Sequence, residues 1–221
     1  MGEQRFGVEH QACHQIAQAI KEVHALGVQM GIVVGGGNIF RGSQAASFGF
    51  ARTPADHIGM LATTINGLVL QQTLASLGIE SRVMSALNTD SIVEPFHWGH
   101  ALHSLQKGMI VIFVGGTGNP YFTTDSAAAL RASEIQAEIL LKATKVDGIF
   151  SEDPKKNPQA QKFDRLTYSE VLAKQLNVMD ATAIALCRES QIPICVFNLF
   201  EQGAMLKAVC GHPKGSLVMG G

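Results

Sequence analysis

The chain has 221 residues, 46% of them apolar and only 16% charged, with a net charge of −1. That balance excludes the basic surface that binds nucleic acid, and it predicts a large core together with a buried subunit interface. Cys13, Cys187, Cys195 and Cys210 form no C-x-x-C pair and read as reduced thiols, and neither a membrane span nor a secretory h-region is visible, so a cytoplasmic protein without membrane contact is expected.

The first predicted element is a helix from His10 to Leu26, with Cys13, Ile16, Ala17, Ile20, Val23 and His24 near one face and Gly27 after its end. A strand over residues 29–34 follows and runs into Gly35-Gly36-Gly37-Asn38. Thr53 as N-cap, Pro54 at the first helical position and Asp56 at the third predict a long helix to Gly78. Along it Ile58, Leu61, Ala62, Ile65, Leu68, Val69 and Gln72 keep a 3.6-residue period. Residues 79–86 read as a strand, Pro95 precedes a helix to about Lys107, and 109–114 is an unbroken apolar strand.

That strand runs into a second glycine-rich turn, Gly115-Gly116-Thr117-Gly118-Asn119-Pro120. Thr124 or Asp125 caps a helix to about Glu138, and 139–141 is a short strand ending near Lys142. Residues 147–166 read as a surface excursion, including the solvated pair Lys155-Lys156. Thr167-Tyr168-Ser169-Glu170 is a capping box, and Asp180 caps a helix to Glu189. A strand at 194–197, a short helix at 203–210 and a strand at 217–219 complete the series. Alternating helices and continuously apolar strands indicate α/β architecture with a mainly parallel central sheet covered on both faces, and the absence of a linker indicates one domain, 1–221.

The glycine runs carry the functional signal. Three glycines beyond a buried strand let backbone N–H groups approach an anion, and strand carboxyl ends are where α/β proteins bind ligands. A plain turn and a phosphate cradle are both open for the first run alone. Neither run fits G-x-x-x-x-G-K-[ST] or G-x-G-x-x-G opening a helix, which disfavours P-loop and dinucleotide folds. His97, His100 and His103 fall three apart but lack acidic partners at metal spacing, so no metal site is expected there.

Four segments in order, 34–42 (Val-Gly-Gly-Gly-Asn-Ile-Phe-Arg-Gly), 56–63 (Asp-His-Ile-Gly-Met-Leu-Ala-Thr), 118–125 (Gly-Asn-Pro-Tyr-Phe-Thr-Thr-Asp) and 141–150 (Leu-Lys-Ala-Thr-Lys-Val-Asp-Gly-Ile-Phe), resemble bacterial uridylate kinases (UMP kinases) of the amino acid kinase superfamily. The resemblance runs from about Phe6 to Val218. It implies a three-layer sandwich and the reaction of ATP with UMP to give ADP and UDP, with Mg²⁺ accompanying ATP. It also implies a homohexamer, with GTP as activator and UTP as inhibitor.

Position by position, the resemblance assigns Gly36, Asp56 and the loop Thr117, Gly118, Asn119, Pro120, Tyr121, Phe122, Thr123 and Thr124 to UMP. Gly37, Arg41, Thr144, Phe150 and Asp153 fall at ATP-site positions. Lys142, Arg41 and Asp180 are the catalytic candidates, with Asp147 and Asp180 as organisers of lysines or of Mg²⁺. From the residues alone, a turn or cap role is equally open for both aspartates.

The family's opening strand, ending in Lys-Leu-Ser-Gly-Glu-Ala-Leu, has no counterpart in this sequence, so a fold lacking the first central strand is expected. The family stretch linked to GTP is matched by Gly2, Phe6 and Gly7. Two further readings stay open here: a UMP- or UTP-binding protein without catalysis, and a sister kinase acting on a carboxylate or carbamate.

Overall fold

The computed structural model describes residues 7–42, 47–154, 156–176, 178–211 and 214–220. Gly2, Phe6 and Lys155 lie outside them. The chain divides into two compact units, Met1–Arg131 and Ala132–Gly221.

In the first unit, α1 (His10–His24) buries Ala17, Ile20 and Val23, as its period predicts. The strands are β1 (Gly31–Val33), β2 (Ser81–Ser85), β3 (Glu94–Pro95) and β4 (Ile110–Val114). They form a wholly parallel sheet in the order β1-β4-β2-β3, with Ile112 of β4 opposite both Ile32 and Val83. Every residue of β4 is buried, which explains its unbroken apolar run. Two helices, α2 (Arg52–Ser76) and α3 (Trp98–Gln106), pack on β4.

The observed α2 differs from expectation in two ways. It starts two residues earlier, with Ala51 rather than Thr53 as N-cap, and no side chain caps it. Pro54 is tolerated because the first N–H with a helical acceptor is that of Ala55, bonded to Ala51 O. The periodic apolar residues Ile58, Leu61 and Ile65 are exposed, whereas Ala55, Ala62, Thr63 and Gly67 join Met60, Leu70 and Leu74 on the buried face. Small residues win that face because the helix lies very close to the sheet. A Cβ on Gly67 would come within 2.3 Å of Val114 Cγ1.

A fourth helix, α4 (Thr124–Glu134), starts in the first unit and ends in the second. The second unit contains β5 (Leu140–Thr144), β6 (Ile149–Phe150), β7 (Lys162–Phe163), β8 (Arg165–Thr167), α5 (Tyr168–Ala173), α6 (Ala181–Glu189), β9 (Ile194–Asn198), α7 (Ala204–Val209) and β10 (Ser216–Met219). Its sheet runs β5-β9-β10-β8, parallel except where β10 meets β9. The mainly parallel α/β architecture is therefore present.

The stretch read as a surface excursion holds the antiparallel hairpin β6–β7 and the strand β8. These strands are two or three residues long and too short to show a period. The buried Ser216 hydroxyl accepts from Ile149 N at 2.7 Å and donates to Phe163 O, which ties the hairpin to β10. The capping box is formed as read: Thr167 accepts from Glu170 N, and Glu170 accepts from Thr167 N at 2.8 Å.

Candidate active site

Because β1 and β4 are neighbouring parallel strands, the two glycine-rich turns leave the same end of one sheet. The carbonyls of the first turn face the protein. Gly35 O accepts from Asn66 Nδ2 at 2.7 Å, Gly36 O from the N–H groups of Ile39 and Phe40, and Gly37 O from Arg41 Nε at 2.8 Å. Among the described residues, the N–H groups of Gly35, Gly36 and Gly37 meet no protein acceptor. That is the edge a phosphate would use.

None of these three glycines has positive φ. What requires glycine at 36 is contact with α2: a Cβ there would stand 2.5 Å from Gly59 O and 2.9 Å from Ala62 Cβ. At Gly37 the nearest atom would be Arg41 Cγ at 3.7 Å, an ordinary contact.

The second turn does need left-handed glycines, with φ of 76° at Gly115, 60° at Gly116 and 82° at Gly118. The buried Thr63 hydroxyl of α2 accepts from Gly115 N at 2.7 Å and donates to Met60 O. Thr117 Oγ1 accepts from Asn119 N at 3.2 Å. Further on, Tyr121 has φ of 74°, unusual for a bulky residue. It is held at several points: Asp56 Oδ2 accepts its N–H at 2.8 Å, and Arg52 lies 4.9 Å from its ring centroid. The rings of Tyr121 and Phe122 are exposed.

Asp56 thus joins the start of α2 to the loop after β4. With Ala51 as N-cap it is the fifth helical residue, so the expected acidic residue of the first turn is not found and the carboxylate serves the loop instead. A Cβ on Gly42 would lie 3.9 Å from its Oδ1, and one on Gly35 would lie 3.4 Å from Thr124 Oγ1. The first unit therefore brings Gly36, Gly37, Arg41, Asp56 and residues 117–124 into one cluster. The cap of α4 is Thr123, whose Oγ1 accepts from Asp125 N at 3.0 Å and Ser126 N at 3.4 Å, so neither Thr124 nor Asp125 is the cap.

The other candidates lie in the second unit. Lys142 is the third residue of β5, opposite Val196, rather than beyond the strand. Thr144 ends β5, and its hydroxyl donates to Val146 O at 2.7 Å. Phe150 lines a cleft of about 780 Å³ with Asp147, Lys162, Arg165, Glu201 and Lys214. Among the described residues, Thr144, Asp153, Lys142 and Asp180 are not part of that lining. Lys214 Nζ lies 2.6 Å from Glu201 Oε1, and this bond raises the lysine pKa. Asp147 accepts from Asn198 Nδ2 at 2.8 Å, and Asp180 caps α6 by accepting from Ala183 N at 2.8 Å.

The sequence reading missed Thr63, Asn66, Lys162 and Lys214. Thr63 and Asn66 had one visible signal, polar side chains inside an apolar helix beside Gly67. His100 does have an acidic partner: Glu94 Oε1, supplied by the unpredicted β3, lies 3.4 Å from its Nδ1. Among the described residues no cluster of three His, Cys, Asp or Glu side chains could hold a metal, and no helix is long and apolar enough to cross a membrane.

Residues 4–198 match the model of the amino acid kinase family. A uridylate kinase of Protochlamydia amoebophila is 62% identical over 199 residues, which cover 90% of this chain and 79% of that protein. The chain belongs to the uridylate kinases of the amino acid kinase family. A second uridylate kinase, from Magnetococcus marinus, is 51% identical over 218 residues, covering 99% of this chain and 90% of its own. The solved structure of UMP kinase from Bacillus anthracis superposes with a TM-score of 0.95 at 38% identity, covering 98% of this chain and 90% of that one. Uridylate kinases thus share with this chain both sequence and α/β fold along nearly its full length.

Proposed function

We propose that this chain transfers the terminal phosphoryl group of ATP to UMP, giving ADP and UDP, as a step in pyrimidine nucleotide formation. The observation that carries the reading is the cluster in the first unit. Three glycine N–H groups that meet no protein acceptor among the described residues lie beside Arg41, and a second loop is fixed next to them by Asp56. Phosphoryl transfer depends on positioning and charge neutralisation, and oriented N–H groups with a guanidinium supply both.

In this reading Gly36, Asp56 and residues 117–124 hold UMP. Thr123 and Thr124 stand nearest its phosphate; a capping hydroxyl accepts through its lone pairs and donates through its hydrogen, so the two roles are compatible. Gly37 and Arg41 serve the ATP phosphates. Lys142 steadies the transferring group, and Asp180 orients the charges around it. Phe150 packs on adenine at the second unit's cleft, with Thr144 and Asp153 at the same nucleotide. Mg²⁺ arrives as MgATP: it keeps much of its water shell and is held largely by phosphates, so no protein cage is needed.

A homohexamer belongs to the same reading. The exposed stripe of Ile58, Leu61 and Ile65 on α2 supports it, because an apolar face of this kind on a low-charge chain suits burial against another copy. GTP activation, UTP inhibition and a cytoplasmic location rest on the family resemblance. The test is a coupled ADP-release assay with UMP as acceptor and glutamate derivatives as controls. ADP release that depends on UMP is expected. Absence of UMP-dependent release, or preference for a carboxylate acceptor, would overturn the reading.

A further inference from the structure

The first glycine loop is fixed by a device that the roles above leave unused. Asn66 lies in the middle of α2, and its Nδ2 donates to Gly35 O at 2.7 Å and to Asn38 Oδ1 at 2.6 Å. Asn38 Nδ2 donates back to Asn66 Oδ1 at 3.1 Å and onward to Gly7 O at 2.9 Å. All four amide hydrogens of the pair are used. Gly7 N also donates to Asn38 O at 2.8 Å. Both ends of the run Gly35–Asn38 are therefore tied to the same helical residue, directly at Gly35 and through its side chain at Asn38.

We propose that Asn66 is a positioning residue for phosphoryl transfer, holding Gly35–Asn38 so that the N–H groups of Gly36 and Gly37 face the transferring phosphate. The inference rests on the proposed kinase activity. Its physical basis is orientation. A peptide unit is planar, so pinning the Gly35 carbonyl inward turns the N–H of Gly36 outward. The same helix fixes the second loop through Thr63 and Gly115 N, 2.7 Å apart. With Asn66 one turn further along α2, the helix sets both loops against one rigid reference. Hydrogen bonds to packed elements give the precision that phosphoryl transfer rewards, and a displacement of about 1 Å can cost roughly 100-fold in rate.

Asn66→Asp tests the idea. Aspartate keeps the size and the acceptor but loses both donors, and it sets a carboxylate oxygen against Gly35 O. With wild-type turnover on UMP as the reference, kcat should fall about 10- to 100-fold. KM for UMP and ATP should stay within about threefold, because the residue touches neither substrate. Amide hydrogen exchange at Ile39 and Phe40, whose N–H groups bond to Gly36 O at 3.0 Å, should quicken while the melting temperature holds. An unchanged kcat, or a loss that simply follows unfolding, would overturn the proposal. Should Asn66→Asp fail to fold, Asn38→Asp decides by the same readings, since it leaves α2 intact. No turnover by the wild-type chain sinks the kinase reading itself. A wild-type chain that turns over with a normal Asn66→Asp sinks only the positioning role.

Discussion

Asp56 Oδ2 accepts the backbone N–H of Tyr121 at 2.8 Å, across 65 residues of chain. Tyr121 sits at φ 74°, so its backbone needs an external hold. The bond has a charged acceptor, and such bonds contribute about 1.5–3 kcal/mol. Asp56→Ala removes the acceptor from the loop proposed to read UMP. The expected result is a rise in KM for UMP of roughly 10- to 100-fold, following that energy, with KM for ATP nearly unchanged. Initial-rate kinetics varying each substrate in turn will check it. Equal rises in both constants would remove Asp56 from the acceptor side.

The glycine pair 36–37 separates packing from ligand contact. At Gly36 an added Cβ meets backbone at 2.5 Å, and helix α2 cannot yield there cheaply. Gly36→Ala should cost about 1–3 kcal/mol of stability, seen as a lower urea midpoint. At Gly37 the added Cβ has room, with its nearest neighbour 3.7 Å away. Gly37→Ala should therefore fold normally yet lose affinity for ATP, because the methyl occupies the approach to the N–H edge. If Gly37→Ala binds and turns over ATP normally, the proposed role of Gly37 is wrong.

The sequence carries β1, β2, β4, β5, β9 and β10, the two glycine turns and the capping box because each depends on neighbours close in the chain, while β3, β6, β7 and β8 are only two or three residues long and show no period. Burial of α2 is another matter. The periodic stripe Ile58, Leu61 and Ile65 obeys the rule for a core-facing helix, yet these residues are exposed, while alanine, threonine and glycine face the sheet. Periodicity reports that a helix has an apolar face, and only the tertiary structure tells which surface covers it. Much the same holds for the site. Gly36, Arg41 and Asp56 stand out by residue type. Thr63 and Asn66 matter through bonds to Gly115, Gly35 and Asn38, residues 28 or more positions away, which no local pattern encodes.

That exposed stripe makes a prediction about assembly. Leu61 is 51% and Ile65 50% exposed in the single chain, side by side on α2. Leu61→Glu combined with Ile65→Lys should leave the fold intact, because neither residue supports the buried face. If the stripe is an interface between copies, the double variant should run as a smaller particle in sedimentation or gel filtration. An unchanged particle mass would place the interface elsewhere.

The buried thiols predict an alkaline limit to stability. Cys187 is fully buried and burial pushes its pKa up to about 11, while Cys195 is raised for the same reason. Tyr168 donates its hydroxyl hydrogen to Ile192 O at 2.5 Å, and burial, then the nearby Cys187, push it up to about 12. All three groups hold their protons more tightly folded than unfolded. Their stabilisation is complete below the unfolded values, near 9.0 for the thiols and 10.0 for the phenol, and is lost as pH rises through the folded ones. The urea midpoint should therefore fall between pH 9 and pH 11. Replacing Cys187 with Ala should flatten part of that fall. At pH 8 a thiol reagent should label the exposed Cys210 readily, and Cys187 and Cys195 only as fast as the chain unfolds. Rapid native labelling of Cys187 would contradict its burial.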